Sequence, residues 1–329
     1  MRGDPGISLI RPMMARSPVV RVVLVGMGAI GTNILDYLLK RSHEVVAVVD
    51  SDPDKVGRTV AELAGFPLGI RVVGSLQGLP LDGADVAVFS TRSRIPDLVD
   101  GISAAASAGL DVVTTSEEMA YPAYAGAGAA ESLDRLAKEK GVTIVGVGVN
   151  PGFVMDLVPA VVASATKNPT NIHVVRSVDV SRRRRQLQAK TGVGHTRARI
   201  EKEIAEGGVG HVGLVESAHL IALSLGKPLQ DLKHGVFPVL GSEDYVMGVR
   251  QFVEGTAGGC RIRLDLEMTT TSADFDIVEV KGDPDLKLRF EKGVFGDSAT
   301  VALVVHAVER VGKAKQGLIT VLDLPLSNA

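Results

Sequence analysis

The first half of the chain alternates short runs of β-branched residues with stretches in which apolar residues recur at helical spacing. The run over residues 19–25 is apolar almost throughout, which predicts a buried strand. Strands that alternate with helices of this length predict parallel βαβ units with right-handed crossovers. The predicted strands are residues 19–25, 44–49, 70–73, 86–89, 111–115 and 143–147, and the predicted helices are 30–40, 54–64, 95–108 and 123–140.

The pattern changes after Asn150-Pro151-Gly152. Beyond this point apolar and polar residues alternate along long segments, which is typical of a sheet with one solvated or partner-facing side. We expect this second sheet to be antiparallel or mixed. Its predicted strands are residues 171–180, 236–240, 249–254, 261–271, 274–281 and 286–291, and helices are predicted over 155–165, 196–206, 212–225 and 299–311.

These patterns predict an α/β protein in which an N-terminal doubly wound parallel sheet is followed by a second α+β domain on a mixed or antiparallel sheet. The expected domains are residues 19–150 and 151–297, and we expect the C-terminal segment 298–329 to return to the first domain and complete it. Residues 1–18 contain no apolar stretch long enough for a signal peptide. We expect a disordered leader there, or a true start at Met13 or Met14.

Composition is that of an ordinary globular protein and narrows the range of partners. Of 329 residues, 22% are charged and 45% hydrophobic, and the formal net charge is −2. This balance favours neither a nucleic acid nor a membrane as partner. The single cysteine, Cys260, excludes an internal disulfide and fits a cytoplasmic protein. The sequence lacks the CxxC and HExxH metal-ligand patterns, so we expect no metal.

A glycine-rich loop follows the first predicted strand and opens the first predicted helix. Gly26 permits a tight turn, Gly28 allows close approach to a pyrophosphate, and Gly31 allows helix and strand to pack closely. The start of the helix supplies free N–H groups and the positive end of the helix dipole. This context indicates a Rossmann dinucleotide-binding domain, whose phosphate loop reads Gly26-Met27-Gly28-Ala29-Ile30-Gly31.

The choice between coenzymes depends on the end of the second predicted strand. Asp50 stands there, and a carboxylate in this position accepts hydrogen bonds from ribose hydroxyls, which favours NAD. Lys55 and Arg58 follow closely and are best explained as solvated helix charges. Either can also meet a 2′-phosphate, so the sequence favours NADH but leaves NADP open.

Three further loops follow the later strands of the predicted sheet. Ligands of open α/β sheets bind outside the carboxyl ends of the strands, so the nicotinamide is expected among these loops. Ser90, Thr91 and Arg92 are expected near the nicotinamide ribose. The other two loops are residues 114–118 and 148–152.

Glu117 and Glu118 are the candidates for acid–base chemistry. They follow the fifth predicted strand, beside the expected nicotinamide. Burial and a like-charged neighbour both raise a carboxylate pKa into the range useful to a general base. The simpler alternative is an acidic first turn of the next helix. We favour Glu117 because it is closer to the end of the strand.

Several polar residues are candidates for contact with the substrate. Asn150 can bind the nicotinamide carboxamide or the substrate, or can simply cap a helix. Arg176 and the run 182–185 favour an amino acid or keto acid if they enter the cleft, and a plain ketone or amine if they face solvent. His195 and His211 both lie in glycine-rich turns, where structural and substrate-binding roles are both open.

Several segments of the sequence together carry a family resemblance. They are residues 49–57, 114–118, Tyr121-Pro122, 150–156, 210–217 and the closing Asp323-Leu324-Pro325. In these segments the chain resembles 2,4-diaminopentanoate dehydrogenase and its relatives, the native amine dehydrogenases, which are built like dihydrodipicolinate reductase. The resemblance covers residues 20–325. Dihydrodipicolinate reductases proper carry a paired-histidine motif, whereas this sequence contains no His-His pair.

This resemblance implies NAD(P)-dependent oxidative deamination of an amine or amino acid, reversible as reductive amination of a ketone with ammonia. It also implies a homodimer formed through the second sheet, and a catalytic glutamate at Glu117 or Glu118. In the amination direction this carboxylate takes a proton from ammonium or from the carbinolamine, and stabilises the iminium that forms. Two alternatives stay open: a reductase of a preformed cyclic imine, and a non-catalytic NAD(P)H-sensing protein.

Overall fold

A computed structural model describes residues 19–183, 185–241 and 244–326. The expected leader, position 184 of the arginine run and the last three residues of the expected C-terminal segment lie outside the described residues. The strands are β1 (Arg21–Val25), β2 (Glu44–Val49), β3 (Val72–Val73), β4 (Val86–Phe89), β5 (Asp111–Thr114), β6 (Thr143–Gly146), β7 (Lys167–Asp179), β8 (Gln230–Leu240), β9 (Val246–Ala257), β10 (Cys260–Thr269), β11 (Phe275–Asp283), β12 (Leu286–Phe290) and β13 (Gly317–Ile319). The helices are α1 (Ala29–Lys40), α2 (Val60–Ala64), α3 (Val99–Ser107), α4 (Pro122–Ala125), α5 (Ala127–Lys140), α6 (Leu157–Ala163), α7 (Arg185–Lys190), α8 (Arg197–Ala205), α9 (Leu214–Ser224) and α10 (Gly296–Val308).

The first sheet is parallel and has the order β13-β6-β5-β4-β1-β2-β3. Its central strand β1 is buried on both faces, and Val22, Val23 and Leu24 have no exposed surface. The strand order reverses at β1 and β4, so a crevice forms at their carboxyl ends, where such sheets bind ligands. The predicted doubly wound fold is confirmed.

The second sheet has the order β12-β11-β7-β10-β9-β8. It is mixed, because β7 and β10 pair in parallel while the other neighbours are antiparallel. Helices α6 and α9 pack on one face of this sheet. Ile172, Val174 and Leu264 face them and are fully buried, which explains the alternation of apolar and polar residues along the strands.

Three predicted helices are shorter than expected. Two begin later because a side chain caps their first turn, and one is divided at a glycine. The predicted helix 54–64 reduces to α2, since the side chains of Thr59 and Glu62 form a reciprocal capping box. The predicted helix 155–165 reduces to α6, since the carboxylate of Asp156 accepts the Leu157 N–H and caps it. Gly126 divides the predicted helix 123–140 into α4 and α5.

Two short elements were not predicted. α7 is a polar helix within the basic segment, and β13 has only three residues, too few to show any periodicity. The C-terminal segment returns to the first sheet, where α10 packs against α1 and β13 pairs with β6. None of the helices in the described part of the chain has the length and apolar character needed to cross a bilayer.

Candidate active site

The phosphate loop adopts the backbone geometry that its glycines allow. Gly26 has a φ of 95°, and a Cβ there would lie 2.6 Å from Thr91 Cγ2. A Cβ on Gly31 would overlap the carbonyl oxygen of Gly26, so helix α1 can pack this closely only with glycine. Gly28, by contrast, faces open space, and no side chain caps the start of α1. The loop therefore fits a pyrophosphate, which needs exposed backbone and free helix N–H groups.

The Ser90 side chain supports this loop by a hydrogen bond to the loop's backbone. Its hydroxyl donates to the Gly26 carbonyl oxygen over 2.8 Å. Ser90, Thr91 and Arg92 also line the cleft beside Gly28, and their place near the nicotinamide ribose stays a prediction. The Ser90 hydroxyl thus holds the turn that Gly26 makes.

Asp50 lies at the outer end of the cleft in a cavity of about 960 Å³. Its carboxylate accepts the Met27 N–H over 2.8 Å and the Lys55 ammonium over 2.9 Å. Burial alone would raise the pKa of Asp50, but the hydrogen bonds from Lys55 and from backbone N–H groups outweigh burial and lower it. The carboxylate is therefore ionised and fixed against the phosphate loop. Lys55 also lies 3.4 Å from Asp52, so two carboxylates face one ammonium.

A second cavity of about 350 Å³ continues from the phosphate loop toward the second sheet. Gly28, Ser90, Thr91 and Arg92 line both cavities, so they form one cleft with an outer and an inner end. The inner cavity is lined by loops that follow strands of the first sheet and by residues in strands β7 and β10 of the second sheet. Its polar side chains include Ser93, Thr115, Glu117, Asn150, Arg176, Arg183, Lys190, His211, Asp297 and Thr300.

The structure separates the two adjacent glutamates. Glu117 lines the inner cavity, and its Oε1 atom lies 3.7 Å from Nζ of Lys190. Glu118 lines neither described cavity, and its Oε2 accepts the Ile95 N–H over 2.8 Å. Glu117 can therefore meet a ligand in the cleft, whereas Glu118 holds the backbone of the neighbouring loop.

Asn150 and His211 line the inner cavity together with Gly28 of the phosphate loop. His211 Nε2 donates to the Asn150 carbonyl oxygen over 2.8 Å, because a carbonyl can only accept. Burial lowers the pKa of His211 despite the opposing effect of the negative Glu117, so the ring is neutral with its lone pair on Nδ1. Gln251 fixes the same loop by bonding the N–H and the carbonyl of His211. In the described part of the chain, Asn150 Oδ1 is buried without a hydrogen-bond partner.

Two arginines form the far end of the inner cavity. Arg176 donates to Asp276 over 2.7 Å and to the Val294 carbonyl over 2.8 Å. Arg183 donates to Asp274 over 2.9 Å, and its guanidinium lies 4.0 Å from the centre of the Phe295 ring. The Arg183 side chain is only 5% exposed, and its Nε has no partner among the described residues. Two guanidinium groups therefore line the cavity, each paired with a carboxylate, and Arg183 Nε is a donor that no described residue uses.

Other predicted contacts lie elsewhere. His195 lines neither described cavity, because its Nδ1 is bonded to Glu203 on α8 over 2.8 Å. Within the arginine run, Arg182 and Arg185 are exposed, and only Arg183 among the described positions enters the cleft. The expected contact of His195 with the substrate is therefore not supported by its position.

Sequence reasoning missed two charged residues near Glu117. Lys190 ends the unpredicted α7, and its Nζ also lies 3.5 Å from Ser93 Oγ. Glu216 is buried in the first turn of α9, and burial raises its pKa to about 7 with the charges of Glu118 and Glu117 adding to the effect. The only signal for Glu216 in the sequence is an acidic residue within an apolar helical segment.

In the described residues, no cluster of His, Cys, Asp and Glu side chains has the arrangement of a metal site.

Comparison with known proteins places this chain in a family. A family model described as the 2,4-diaminopentanoate dehydrogenase C-terminal domain matches residues 153–265 and 261–329. The 2,4-diaminopentanoate dehydrogenase of Acetoanaerobium sticklandii is 28% identical over 334 aligned positions, which cover 94% of each chain.

Solved structures share the fold. An amine dehydrogenase from Mycobacterium smegmatis superposes with a TM-score of 0.82 at 23% identity, over 93% of this chain and 96% of that one. GenD2 from gentamicin A biosynthesis, solved in complex with NAD, superposes with a TM-score of 0.55 at 19% identity, over 82% and 72% of the two chains. The motifs, the family model and the full-length similarity agree, and this chain belongs to the 2,4-diaminopentanoate dehydrogenase family.

Proposed function

We propose that this chain is an NAD(P)-dependent amine dehydrogenase, which oxidatively deaminates an amine or amino acid and, in reverse, aminates a ketone with ammonia. One observation carries the proposal. The carboxylate of Glu117 lines an inner cavity that is continuous with the phosphate loop at Gly28. An amine needs such a group, because its ammonium form must lose a proton before it can be oxidised.

The outer end of the cleft fits a dinucleotide. The backbone at Gly28 and the start of α1 would hold the pyrophosphate, and Asp50 would accept the ribose hydroxyls. Asn150 Oδ1, which lacks a partner among the described residues, would accept an N–H of the nicotinamide carboxamide. A nicotinamide coenzyme bound here supplies the hydride chemistry.

Charge at this end supports a preference for NAD. Lys55 is the cation nearest to Asp50, and both Asp50 and Asp52 already neutralise it. A 2′-phosphate would therefore meet a net negative surface. NADP binding requires the Asp50–Lys55 pair to open, so we propose that NAD is preferred and NADP is tolerated.

Glu117 is proposed as the catalytic base. In deamination it takes a proton from the substrate ammonium. In amination it takes a proton from ammonium, so that ammonia can attack the ketone, and then gives this proton to the carbinolamine hydroxyl, which leaves as water and forms the iminium. Its negative charge also stabilises the iminium on the reacting carbon. Nζ of Lys190 lies 3.7 Å from Glu117 Oε1 and is a cation that the substrate ammonium can replace at this carboxylate.

The inner end supports a substrate that carries a carboxylate. Arg183 has a buried guanidinium whose Nε bonds to no described residue, and Arg176 lines the same cavity. Guanidinium groups bind carboxylates through paired, charge-assisted hydrogen bonds. We therefore favour an amino acid, or the matching keto acid, over a plain alkyl amine or ketone.

We further propose that the protein is a homodimer formed through the second sheet. The face of this sheet turned away from α6 and α9 exposes aromatic residues, among them Phe237, which is 55% exposed and stacks on Phe252. Aromatic residues on an exposed sheet face are typical of a protein interface. Light scattering of the full chain would report the mass of two copies if this proposal is right.

The decisive experiment compares Glu117→Gln with Glu118→Gln. Glutamine at position 117 cannot take a proton, so kcat for a keto acid with ammonia and NADH should fall about 100-fold to 10,000-fold. Glutamine at position 118 can still accept the Ile95 N–H, so this variant should stay within about twofold of wild type.

Near-full activity in the Glu117→Gln variant would overturn the proposal. Reduction of a preformed imine without ammonia, at the same rate as the ammonia-dependent reaction, would favour an imine reductase. Tight NADH binding without turnover over a panel of keto acids and ketones would favour a sensor.

A further inference from the structure

Five lysine and arginine side chains among the described residues line the cleft, and four of them already have a carboxylate partner. The paired cations are Lys55 with Asp50 and Asp52, Arg176 with Asp276, Arg183 with Asp274, and Lys190 with Glu117. Arg92 is the fifth, and within the described residues its guanidinium forms no ion pair and no hydrogen bond. Its whole positive charge is therefore available to a ligand.

Arg92 lies where the outer and inner cavities meet. It lines both of them, as Gly28 of the phosphate loop does, and its side chain is exposed. The backbone on either side of it is fixed: the Ser90 N–H donates to the Val25 carbonyl over 2.8 Å, and the Ser93 carbonyl accepts the Ser116 hydroxyl over 2.7 Å. A long, free side chain thus extends from an anchored loop beside the phosphate loop.

The surroundings of the phosphate loop are poor in positive charge. Residues 26–33, which form this loop and the start of α1, include no lysine or arginine. The described residues give the outer cavity two cations, Arg92 and the neutralised Lys55, and four acidic side chains, Asp50, Asp52, Asp97 and Asp100. A pyrophosphate brings two negative charges, and a helix N-terminus offsets only about half of one. A dinucleotide therefore needs a further cation here.

We propose that the Arg92 guanidinium binds the pyrophosphate of the coenzyme and supplies the positive charge that the phosphate loop lacks. This rests on the proposed binding of a nicotinamide dinucleotide in the cleft. A guanidinium bonds phosphate oxygens through paired, charge-assisted hydrogen bonds. Because Arg92 has no partner among the described residues, this contact breaks no existing ion pair. The glycines then provide the shape of the site, and Arg92 provides its charge.

Two other anions enter the same cleft, and the structure favours neither of them as the ligand of Arg92. A substrate carboxylate in the inner cavity has a buried donor of its own in Arg183 Nε. A 2′-phosphate would lie beside Asp50, where Lys55 is the adjacent cation. Arg92 lies between these two places and lines both cavities together with Gly28, where the pyrophosphate is expected.

The test measures binding and needs no turnover. Fluorescence titration gives the Kd for NADH, and displacement of NADH gives the Kd for ADP-ribose and for adenosine. In Arg92→Gln the Kd should rise about ten-fold for NADH and by the same factor for ADP-ribose, which keeps the pyrophosphate but lacks the nicotinamide. Adenosine has no phosphate, so its Kd should not change. Arg92→Lys keeps the charge without the fork and should weaken NADH binding by no more than about threefold.

Arg94→Gln is the matched control, because Arg94 is an exposed arginine of the same loop that lines neither described cavity. Its Nη2 lies 3.5 Å from the Gly207 carbonyl oxygen, on the far side of Ser93 in the chain. This variant should bind all three ligands as wild type does. Added salt should weaken NADH binding more in wild type and in Arg94→Gln than in Arg92→Gln, which has lost the charge that salt screens.

An unchanged Kd for ADP-ribose in Arg92→Gln would overturn the proposal. An equal loss for adenosine would show that Arg92 only supports the loop. A loss confined to the KM of a keto acid would assign Arg92 to the substrate carboxylate, and a larger loss for NADPH than for NADH would assign it to the 2′-phosphate. If no amine is turned over, the proposed amine dehydrogenase function fails, while these affinities still test Arg92.

Discussion

The two ends of the cleft are built in different ways. At the outer end, most of the groups proposed to hold the dinucleotide come from one stretch, from Gly26 at the end of β1 to Lys55 after β2, and segments 74–77, 89–92 and 97–104 complete the lining. The inner end is assembled from segments far apart in the chain, including Glu117 after β5, Arg183 after β7 and His211 before α9. The outer end depends on backbone shape, and the inner end on the charges that distant side chains bring together.

This difference has a physical cause. A pyrophosphate is bound by backbone N–H groups and a helix terminus, whose geometry is fixed by glycines at short spacing. A small substrate must be recognised on several sides at once, so its contacts come from several loops. The two ends should therefore respond differently to substitution: the outer end to the addition of a methyl group, the inner end to the loss of a charge.

Among the substitutions that test this comparison, Gly31→Ala is expected to have the largest effect. Its Cβ would overlap the Gly26 carbonyl oxygen, so the start of α1 must move away from β1. We expect the Kd for NADH to rise about 100-fold and the free energy of unfolding to fall by about 1–3 kcal/mol. Fluorescence titration with NADH and urea unfolding would measure the two effects.

Gly128→Ala is the matched control for this substitution. Gly128 lies in α5, and a Cβ there would meet no atom within 4 Å. Alanine should therefore stabilise the helix by about 0.4–1 kcal/mol and leave NADH binding unchanged. Equal NADH affinity in Gly31→Ala and Gly128→Ala would show that the outer end does not depend on this close approach.

A smaller and more selective effect is expected at the inner end from Arg183→Gln. The substitution removes a buried charge that has a free donor, so kcat/KM for a keto acid should fall about ten-fold to 100-fold. Activity on a plain ketone should change by no more than about twofold. Arg182→Gln, an exposed neighbour, should leave both substrates unaffected.

An equal loss on both substrates would mean that Arg183 acts only through its contacts with Asp274 and Phe295. Steady-state kinetics with a keto acid and a ketone of the same chain length would separate the two outcomes. If Arg182→Gln instead lowers activity on the keto acid more than on the ketone, the substrate carboxylate binds outside the inner cavity.

The same contrast explains how much the sequence could predict. The phosphate loop, Asp50 and the parallel sheet are local patterns, and the predicted fold and family are confirmed. Glu117 and Asn150 were placed by the rule that strand ends meet at one edge of a sheet, and both line the cavity. Their roles remain proposals.

The rest depends on contacts between distant segments. The alternation of apolar and polar residues along β7 and β10 predicts a half-buried sheet, but it does not predict that these two strands pair in parallel. His195 and His211 both occur in glycine-rich turns, yet one bonds to Glu203 and the other faces the cleft. Lys190 and Glu216 have neighbours that only the folded chain brings to them.

The smallest effect is expected from the choice of coenzyme at the outer end. Asp50→Asn removes one of two carboxylates that neutralise Lys55, and so frees that ammonium for a 2′-phosphate. The ratio of kcat/KM with NADPH to that with NADH should rise about ten-fold, because the 2′-phosphate then meets the positive charge of Lys55 without the negative charge of Asp50.

Asp52→Asn is the matched control. It removes a more exposed carboxylate at 3.4 Å from Lys55, where solvent weakens the interaction, and should shift the ratio by less than about threefold. Equal shifts in both variants would mean that net charge alone selects the coenzyme. No shift in either would place the selection away from the Asp50–Lys55 pair, and the outer end would then depend on backbone shape alone.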